Sequence, residues 1–283
     1  MELLTWNIQC GKGVEGRVSL ERIAQVVRAM GSPAVLCFQE VARHLPALDG
    51  AGADQPAELA RLFPQHCPVF GPAQDFGGGP ERPRQFGNLL LTTLPVLQVF
   101  RHLLPRAAHP GVRHAQRGAL EVVLAAPWGP LRVVTTHLEY HSDAHRHVQV
   151  GHLRHLQEEV AMHARMEPVP GPAGGIYEAR PRPVSTVLCG DFNLGPDDPL
   201  HARLCAPLEY EGAAFLDAWA LARGAEPHAP TCGIGDREQW PQGPHCRDFC
   251  FVTPDLVPRV AAMDVNVETL ASDHQPVRLT LRD

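Results

Sequence analysis

The chain has 283 residues, 44% of them apolar and 20% charged, which is enough length and apolar material for a sizeable core. Its 31 Asp and Glu outnumber its 25 Lys and Arg, giving a formal charge of −6, a balance that disfavours general coating of duplex nucleic acid by phosphate contacts. The 28 prolines and 25 glycines exceed ordinary usage but fall short of a low-complexity chain, so they imply long, stiff loops on a globular body.

No run approaches the ~18 apolar residues needed to span a bilayer. The opening Met1-Glu2-Leu3-Leu4-Thr5-Trp6-Asn7 has neither the basic nor the apolar region of a signal peptide. Eight scattered cysteines without a CxxC pair suit a reducing compartment, so a cytoplasmic protein with no membrane partner is expected. A zinc site from Cys232, His245, Cys246 and Cys250 is conceivable, although its spacing is irregular.

In chain order, a strand is expected over residues 3–8. A helix follows from a Ser19 cap, with Ile23, Val26, Val27 and Met30 at i, i+3, i+4 and i+7. The continuous apolar run 34–39 reads as a strand buried on both faces. A short helix over 56–63 precedes strands near 66–70, 88–92 and 96–104. Residues 119–126 and 131–137, separated by Pro127-Trp128-Gly129-Pro130, read as a hairpin. A long helix over about 142–165 carries Gln149, Leu153, Leu156 and Val160 on one side. Residues 184–189, 249–252, 260–267 and 277–281 supply the remaining strands. The Pro/Gly-rich stretches 71–87 and 164–183 lie between core elements and read as loops, which leaves 1–283 as a single domain. Strands outnumber helices and many neighbours are hairpin-like. This favours mixed sheets packed on each other with helices outside.

Polar residues recur where these strands end. Asn7 follows Leu3-Leu4-Thr5-Trp6, Glu40 ends the run through Gln39, and His137 ends Val133-Val134-Thr135-Thr136. Asp191 and Asn193 follow Val187-Leu188-Cys189-Gly190, Asp248 opens Phe249-Cys250-Phe251-Val252, and Asp273 and His274 precede Pro276-Val277. Singly, each has an ordinary reading as a turn or edge residue. Together they make a coherent set on a rigid scaffold. Hard oxygen donors from Glu40, Asp273, Asn7, Asp191 and Asn193 suit Mg²⁺ or Mn²⁺ better than Zn²⁺. His274, paired with a carboxylate such as Asp248, could orient a water or donate to a phosphoryl oxygen, and His137 could donate as well. This is a kit for metal-assisted hydrolysis of a phosphate ester.

The ordered motifs Thr5-Trp6-Asn7-Ile8, Gln39-Glu40, Gly87-Asn88, Thr136-His137-Leu138, Gly190-Asp191-Phe192-Asn193, Asp248-Phe249-Cys250-Phe251-Val252 and Ser272-Asp273-His274-Gln275-Pro276-Val277 resemble those of the endonuclease/exonuclease/phosphatase superfamily, whose members include exonuclease III and DNase I. The match runs from residue 5 to 277. The resemblance implies an α+β fold, a four-layer α/β sandwich of two mixed, mostly antiparallel sheets flanked by helices, with one divalent cation at the sheet edge. By motif, Glu40 is the principal metal ligand, with Asn7 and Asp273 close to the metal. Asp191 is the group that activates the attacking water, and Asn193 and His137 bind the scissile phosphate. Asp248 orients His274, which contacts phosphate or acts as the base; the choice of Asp191 or His274 as proton acceptor stays open. Many relatives carry Arg-Ile-Asp-Tyr where this chain has Cys246-Arg247-Asp248-Phe249, so a role for Arg247 does not carry over.

Two features stand beside the motifs. Seven of the 16 histidines fall within residues 137–163, and His141, His145 and His152 could form a second metal site or a solvated histidine-rich face. The long loops place Arg82, Arg84, Arg113 and Arg117 as phosphate binders or as solvated arginines; Arg117 is favoured because it directly precedes a strand. Asn88, Arg117 and Arg146 complete the substrate-side candidates.

The expected function is that of a Mg²⁺- or Mn²⁺-dependent phosphoesterase acting on a phosphodiester. A small nucleotide, a short nucleic acid or a soluble phosphorylated metabolite is the expected partner. A DNA endo- or exonuclease is the alternative substrate reading, and a catalytically idle binding module with the same fold is the competing class.

Overall fold

The apolar runs of the sequence become strands that pair into two sheets of six, among the residues described in this computed structural model: 1–79, 81–167, 169, 171–210 and 213–283. In chain order the first six strands are β1 (Glu2–Asn7), β2 (Val35–Arg43), β3 (Cys67–Asp75), β4 (Gln85–Thr92), β5 (Val96–Leu103) and β6 (Gly118–Ala126). They are followed by β7 (Gly129–His137), β8 (Thr186–Asp191), β9 (Leu216–Asp217), β10 (Asp248–Val252), β11 (Val260–Val265) and β12 (Val277–Leu281). One sheet has the order β11-β12-β1-β2-β4-β3 and the other β5-β6-β7-β8-β10-β9. The pairs β1–β2 and β7–β8 are parallel and the rest antiparallel, so both sheets are mixed.

Side chains alternate across a strand, so a run that is apolar throughout feeds two layers at once. Leu3, Val35 and Cys37 point into the space between the sheets, against Val122, Val133, Val187 and Val252. Their neighbours Leu4, Leu36 and Phe38 point outward, where they bury Ile23 and Val27 of helix α1 (Leu20–Ala29). The four-residue α2 (Pro46–Asp49) follows, and Leu59 of α3 (Gln55–Leu62) packs on the same outer face. On the far side, Val150 and Leu153 of α4 (Asp143–His163) cover Leu188, Phe249 and Phe251. The short α5 (Pro199–Cys205) joins that layer through Leu204, and α6 (Ala218–Arg223) packs through Trp219 at the edge of the core between the sheets. The result is helix, sheet, sheet, helix. The expected cap is made, Ser19 Oγ accepting from the Arg22 N–H at 3.2 Å, and Ser142 caps α4 in the same way, its Oγ accepting from the His145 N–H at 3.2 Å.

Three departures from the sequence reading have physical causes. The stretch 71–87 is partly strand, because β3 runs to Asp75 and β4 starts at Gln85. Pro68 and Pro72 are tolerated because β3 is an edge strand, where a missing N–H costs no ladder bond. Its turn includes residue 80, and the loop 164–183 includes 168 and 170; these lie outside the described residues. The zinc grouping does not assemble. Cys232 Sγ lies 3.2 Å from His245 Nε2, but Cys250 is buried between the sheets, and no three-ligand cluster among the described residues contains these cysteines. Nor do the α4 histidines form a second metal site or a wholly solvated face: His145 is fully buried, with Nε2 2.8 Å from the Ala107 carbonyl. Among the described residues, no helix is long and apolar enough to cross a membrane.

Candidate active site

Strand register brings the polar strand ends together. His137 is the cross-strand partner of Asp191, and Asp191 that of Asp248, so the ends of β7, β8 and β10 form one row. Asn7 and Gln39 are partners at the matching end of β1 and β2. Gln39 ties the sheets to each other, donating to Thr5 Oγ1 at 3.1 Å and to Thr135 Oγ1 at 2.9 Å.

Local backbone devices aim the side chains. The β2–β4 register shifts between Phe38 and Val41, and Glu40, inside that bulge, has φ of 57°. A bulge re-aims a side chain that regular pleating would send elsewhere. Gly190 has φ of 138°, and a Cβ there would overlap the Thr136 carbonyl, so only glycine permits this approach of β7 and β8. Asn193 has φ of 52°, and its backbone N–H donates to Asp191 Oδ1 at 2.9 Å. Such left-handed non-glycine residues concentrate where function requires a fixed direction.

Asp191 is the hub. Its Oδ2 accepts from Asn7 Nδ2 at 3.0 Å and lies 3.3 Å from His137 Nε2 and 3.7 Å from His274 Nε2. Asn7 Nδ2 also donates to Glu40 Oε1 at 3.0 Å, while Asn7 Oδ1 accepts from the Gln9 N–H at 3.1 Å. His274 Nδ1 and Asp248 Oδ2 are 2.8 Å apart, both fully enclosed, which leaves Nε2 facing Asp191 and the pocket. Asn193 Nδ2 lies 3.0 Å from His137 Nε2, and Arg117 Nη1 lies 3.2 Å from His137 Nδ1. Asp273 Oδ2 accepts from Gln239 Nε2 at 2.8 Å. Apart from Asn7 and Asp248, the functional side chains of this set line a cavity of about 290 Å³ together with Tyr140, His141 and Trp240.

The charges are set by enclosure and neighbours. Burial and the Arg117 guanidinium push His137 down to about 3, so its imidazole is neutral at pH 7. Burial opposes charge on His274 as well, but Asp248, Asp191 and Asp273 outweigh it and hold that imidazole well above its ordinary value. Burial also works against the Asp191 carboxylate, yet the two imidazoles, the Asn7 amide and the Asn193 N–H hold it below its usual range. Glu40 is pushed up by burial and by the like charge of Asp273. The pocket therefore holds an ionised carboxylate beside a cationic imidazole, and a second carboxylate pair in mutual repulsion.

Residues 4–274 match the model of the endonuclease/exonuclease/phosphatase family. The chain belongs to that family. No curated protein matches it. Solved structures of the same fold include an endonuclease/exonuclease/phosphatase from Beutenbergia cavernae (24% identity, all of this chain and 71% of that one, TM-score 0.71). Another is an endonuclease/exonuclease/phosphatase from Bacteroides vulgatus (18%, 99% and 98%, TM-score 0.69). The human Nocturnin catalytic domain is a third (16%, 100% and 94%, TM-score 0.62).

Of the positions carried by the family motifs, Glu40, His137, Asp191, Asn193, Asp273 and His274 line the one cavity, while Asn7 and Asp248 lie directly behind it. Asn88 is set back, donating to the Gly118 and Thr135 carbonyls in an adjoining recess. Arg146 does not enter the cavity. Its guanidinium pairs with Asp143 and donates to the Glu139 and Tyr140 carbonyls, bracing the segment that follows His137. Arg82, Arg84 and Arg113 are exposed, and of the four loop arginines only Arg117 reaches the cavity. Arg247 has a structural role instead, donating to the Asn193 carbonyl at 2.8 Å and lying over the Trp240 ring. Tyr140, Gln239 and Trp240 escape the sequence reading because they sit on loops rather than at strand ends, and His141, read there as part of a histidine-rich segment, lines this cavity instead. An aromatic stranded in a polar, Gly/Pro-rich loop, as Trp240 is, is the signal that points to it.

Proposed function

We propose that this chain is a divalent-metal-dependent phosphodiesterase acting, as a single domain over 1–283, on a small nucleotide, a short nucleic acid or a soluble phosphorylated metabolite. The observation that carries the reading is the Asp191 carboxylate, held ionised by the Asn7 and Asn193 donors and the cationic His274 and opening into the cavity beside Glu40 and Asp273. Glu40 and Asp273 fit a hard divalent cation, because two like-charged carboxylates face one cavity and burial leaves Glu40 short of compensating charge. A Mg²⁺ or Mn²⁺ ion held there would polarise the phosphoryl group and offset charge developing on its oxygens.

The chain's own residues supply the rest. Asp191 Oδ2 takes the proton of the attacking water, since it is a carboxylate held ionised at the cavity wall. His274 Nε2, protonated through the Asp248 contact at Nδ1, donates to a phosphoryl oxygen. Neutral His137 and the Asn193 amide hold the phosphate from the other side, and Arg117 adds positive charge at the wall. Asn7, spanning Glu40 and Asp191, keeps base and cation ligand at a fixed separation.

The test is a panel of phosphodiesters and phosphomonoesters assayed with added Mg²⁺ or Mn²⁺, with and without EDTA. Diester turnover abolished by EDTA and by Glu40→Ala is expected. Turnover indifferent to both would reject the assignment.

A further inference from the structure

A second cluster of ligand atoms lies on the opposite side of β10 from Asp248. His201 Nε2 is 2.9 Å from Asp217 Oδ2, and His228 Nε2 is 2.7 Å from the same oxygen. The three ligand atoms lie within 4.8 Å of one another. Asp217 cannot swing away, because its Oδ1 accepts from the Trp219 N–H at 2.8 Å as the cap of α6. The imidazoles are walled by aromatic rings: His201 lies 5.1 Å from Phe249, and His228 stacks 5.6 Å from Trp219. The cluster is open enough for entry from solvent, with side-chain exposures of 14% for His201, 7% for Asp217 and 15% for His228.

We propose that His201, Asp217 and His228 bind a transition metal ion, Zn²⁺ by the character of the donors, at a site separate from the catalytic cavity. Two imidazoles and one carboxylate select zinc over the hard cations that suit Glu40 and Asp273. Both Nε2 atoms and the Asp217 oxygen lie close enough to share one ion, which would take the place of the two hydrogen bonds once each imidazole carries its proton on Nδ1. The location gives the ion a purpose. The ligands come from the seven-residue α5, the two-residue β9 and the segment after the six-residue α6, pieces too short to hold their own shape. An ion would staple all three to the edge of the sheet. It would also brace Phe249, the residue that follows Asp248.

The test uses full-length protein freed of metal by chelation and titrated with Zn²⁺ alone against a chromophoric chelator. A Glu40→Gln/Asp273→Asn background removes the pair proposed to hold the catalytic cation. One equivalent of Zn²⁺ is expected to remain bound in that background and to raise its Tm. Adding His228→Gln or, separately, His201→Gln should weaken that equivalent at least 10–100-fold, the scale already seen when mere supporting partners of a metal ligand are removed. Both should abolish the Tm response. His228 lies outside helix and strand, so its substitution spares the secondary structure, and circular dichroism checks this. Absence of Zn²⁺ binding in the background, or binding that neither histidine substitution changes, would overturn the site and leave the three residues as a hydrogen-bonded staple.

Discussion

At the residue scale, Asp248 and His274, joined by their 2.8 Å contact, have divided roles in the proposed mechanism. Asp248 meets only the Nδ1 side of the ring, so it does not touch the cavity and acts by holding the imidazole's direction and charge. Asp248→Asn is therefore expected to lower kcat while the dissociation constant for Mg²⁺, measured by calorimetry, stays nearly unchanged. His274→Ala should cost about 10²–10⁴-fold in rate, the scale of a lost proton donor. Loss of Mg²⁺ binding in Asp248→Asn would make that carboxylate a metal ligand instead. Gly190 carries a steric prediction. Gly190→Ala puts a Cβ against the Thr136 carbonyl at φ of 138°, forcing β7 and β8 apart at the pair next to His137 and Asp191. Denaturant unfolding should show a loss of about 2–4 kcal/mol, and activity should fall further than stability alone explains. Residues such as Asp191 and Glu40 are legible in the sequence because each closes an apolar run whose direction is readable. Tyr140 and Trp240 are not, since their place at the cavity depends on loop packing that no local pattern encodes.

At the element scale, the strands follow from patterning, and the pieces that escape it are those whose stability is tertiary. The helices α5 and α6 announce themselves only through caps, Asp198 before Pro199 and Asp217 before Ala218. The tail of β3 is obscured by prolines that only an edge position excuses. A buried ion network does similar work out of sight of the pattern. Glu121 on β6 is fully buried and accepts from Arg132 Nε at 3.0 Å, Arg182 Nε at 2.7 Å and His102 Nε2 at 3.0 Å. It thereby pins the end of the 164–183 loop to the sheet. Burial opposes the Glu121 charge, but His102, Arg182 and Arg132 outweigh it and hold the carboxyl well below its ordinary range. A depressed carboxyl stabilises the fold above the unfolded value of about 4.3, and the contribution drains away as pH falls below that. Glu121→Gln, which strands buried arginines, should cost about 3–5 kcal/mol at pH 7 in urea unfolding. The variant should also lose part of the wild-type slope of stability between about pH 5 and pH 2. Equal stability of the two proteins at pH 7 would show that the network contributes nothing net.

At the scale of the whole molecule, the site exists because two sheets end together. His137, Asp191 and Asp248 come from one sheet; Asn7 and Glu40 come from the other, and Asp273 and His274 lie just before its strand β12. Gln39 and Asn7 bridge them by hydrogen bonds. The geometry of the candidate site is then a property of how the sheets stack, an apolar interior ending in a polar edge. The net charge of −6 and a cavity of about 290 Å³ both favour a compact phosphodiester over a long duplex. The most direct measurement is steady-state hydrolysis of bis(p-nitrophenyl) phosphate at neutral pH with saturating Mg²⁺ or Mn²⁺, comparing wild type with Asp191→Asn and measuring metal affinity on the same samples. The expected result is metal-dependent turnover in the wild type, a fall in kcat of about 10²–10⁴-fold in the variant, and metal affinities that agree within a few-fold. Equal turnover in the two proteins, or a variant whose only defect is lost metal binding, would contradict the role given to Asp191.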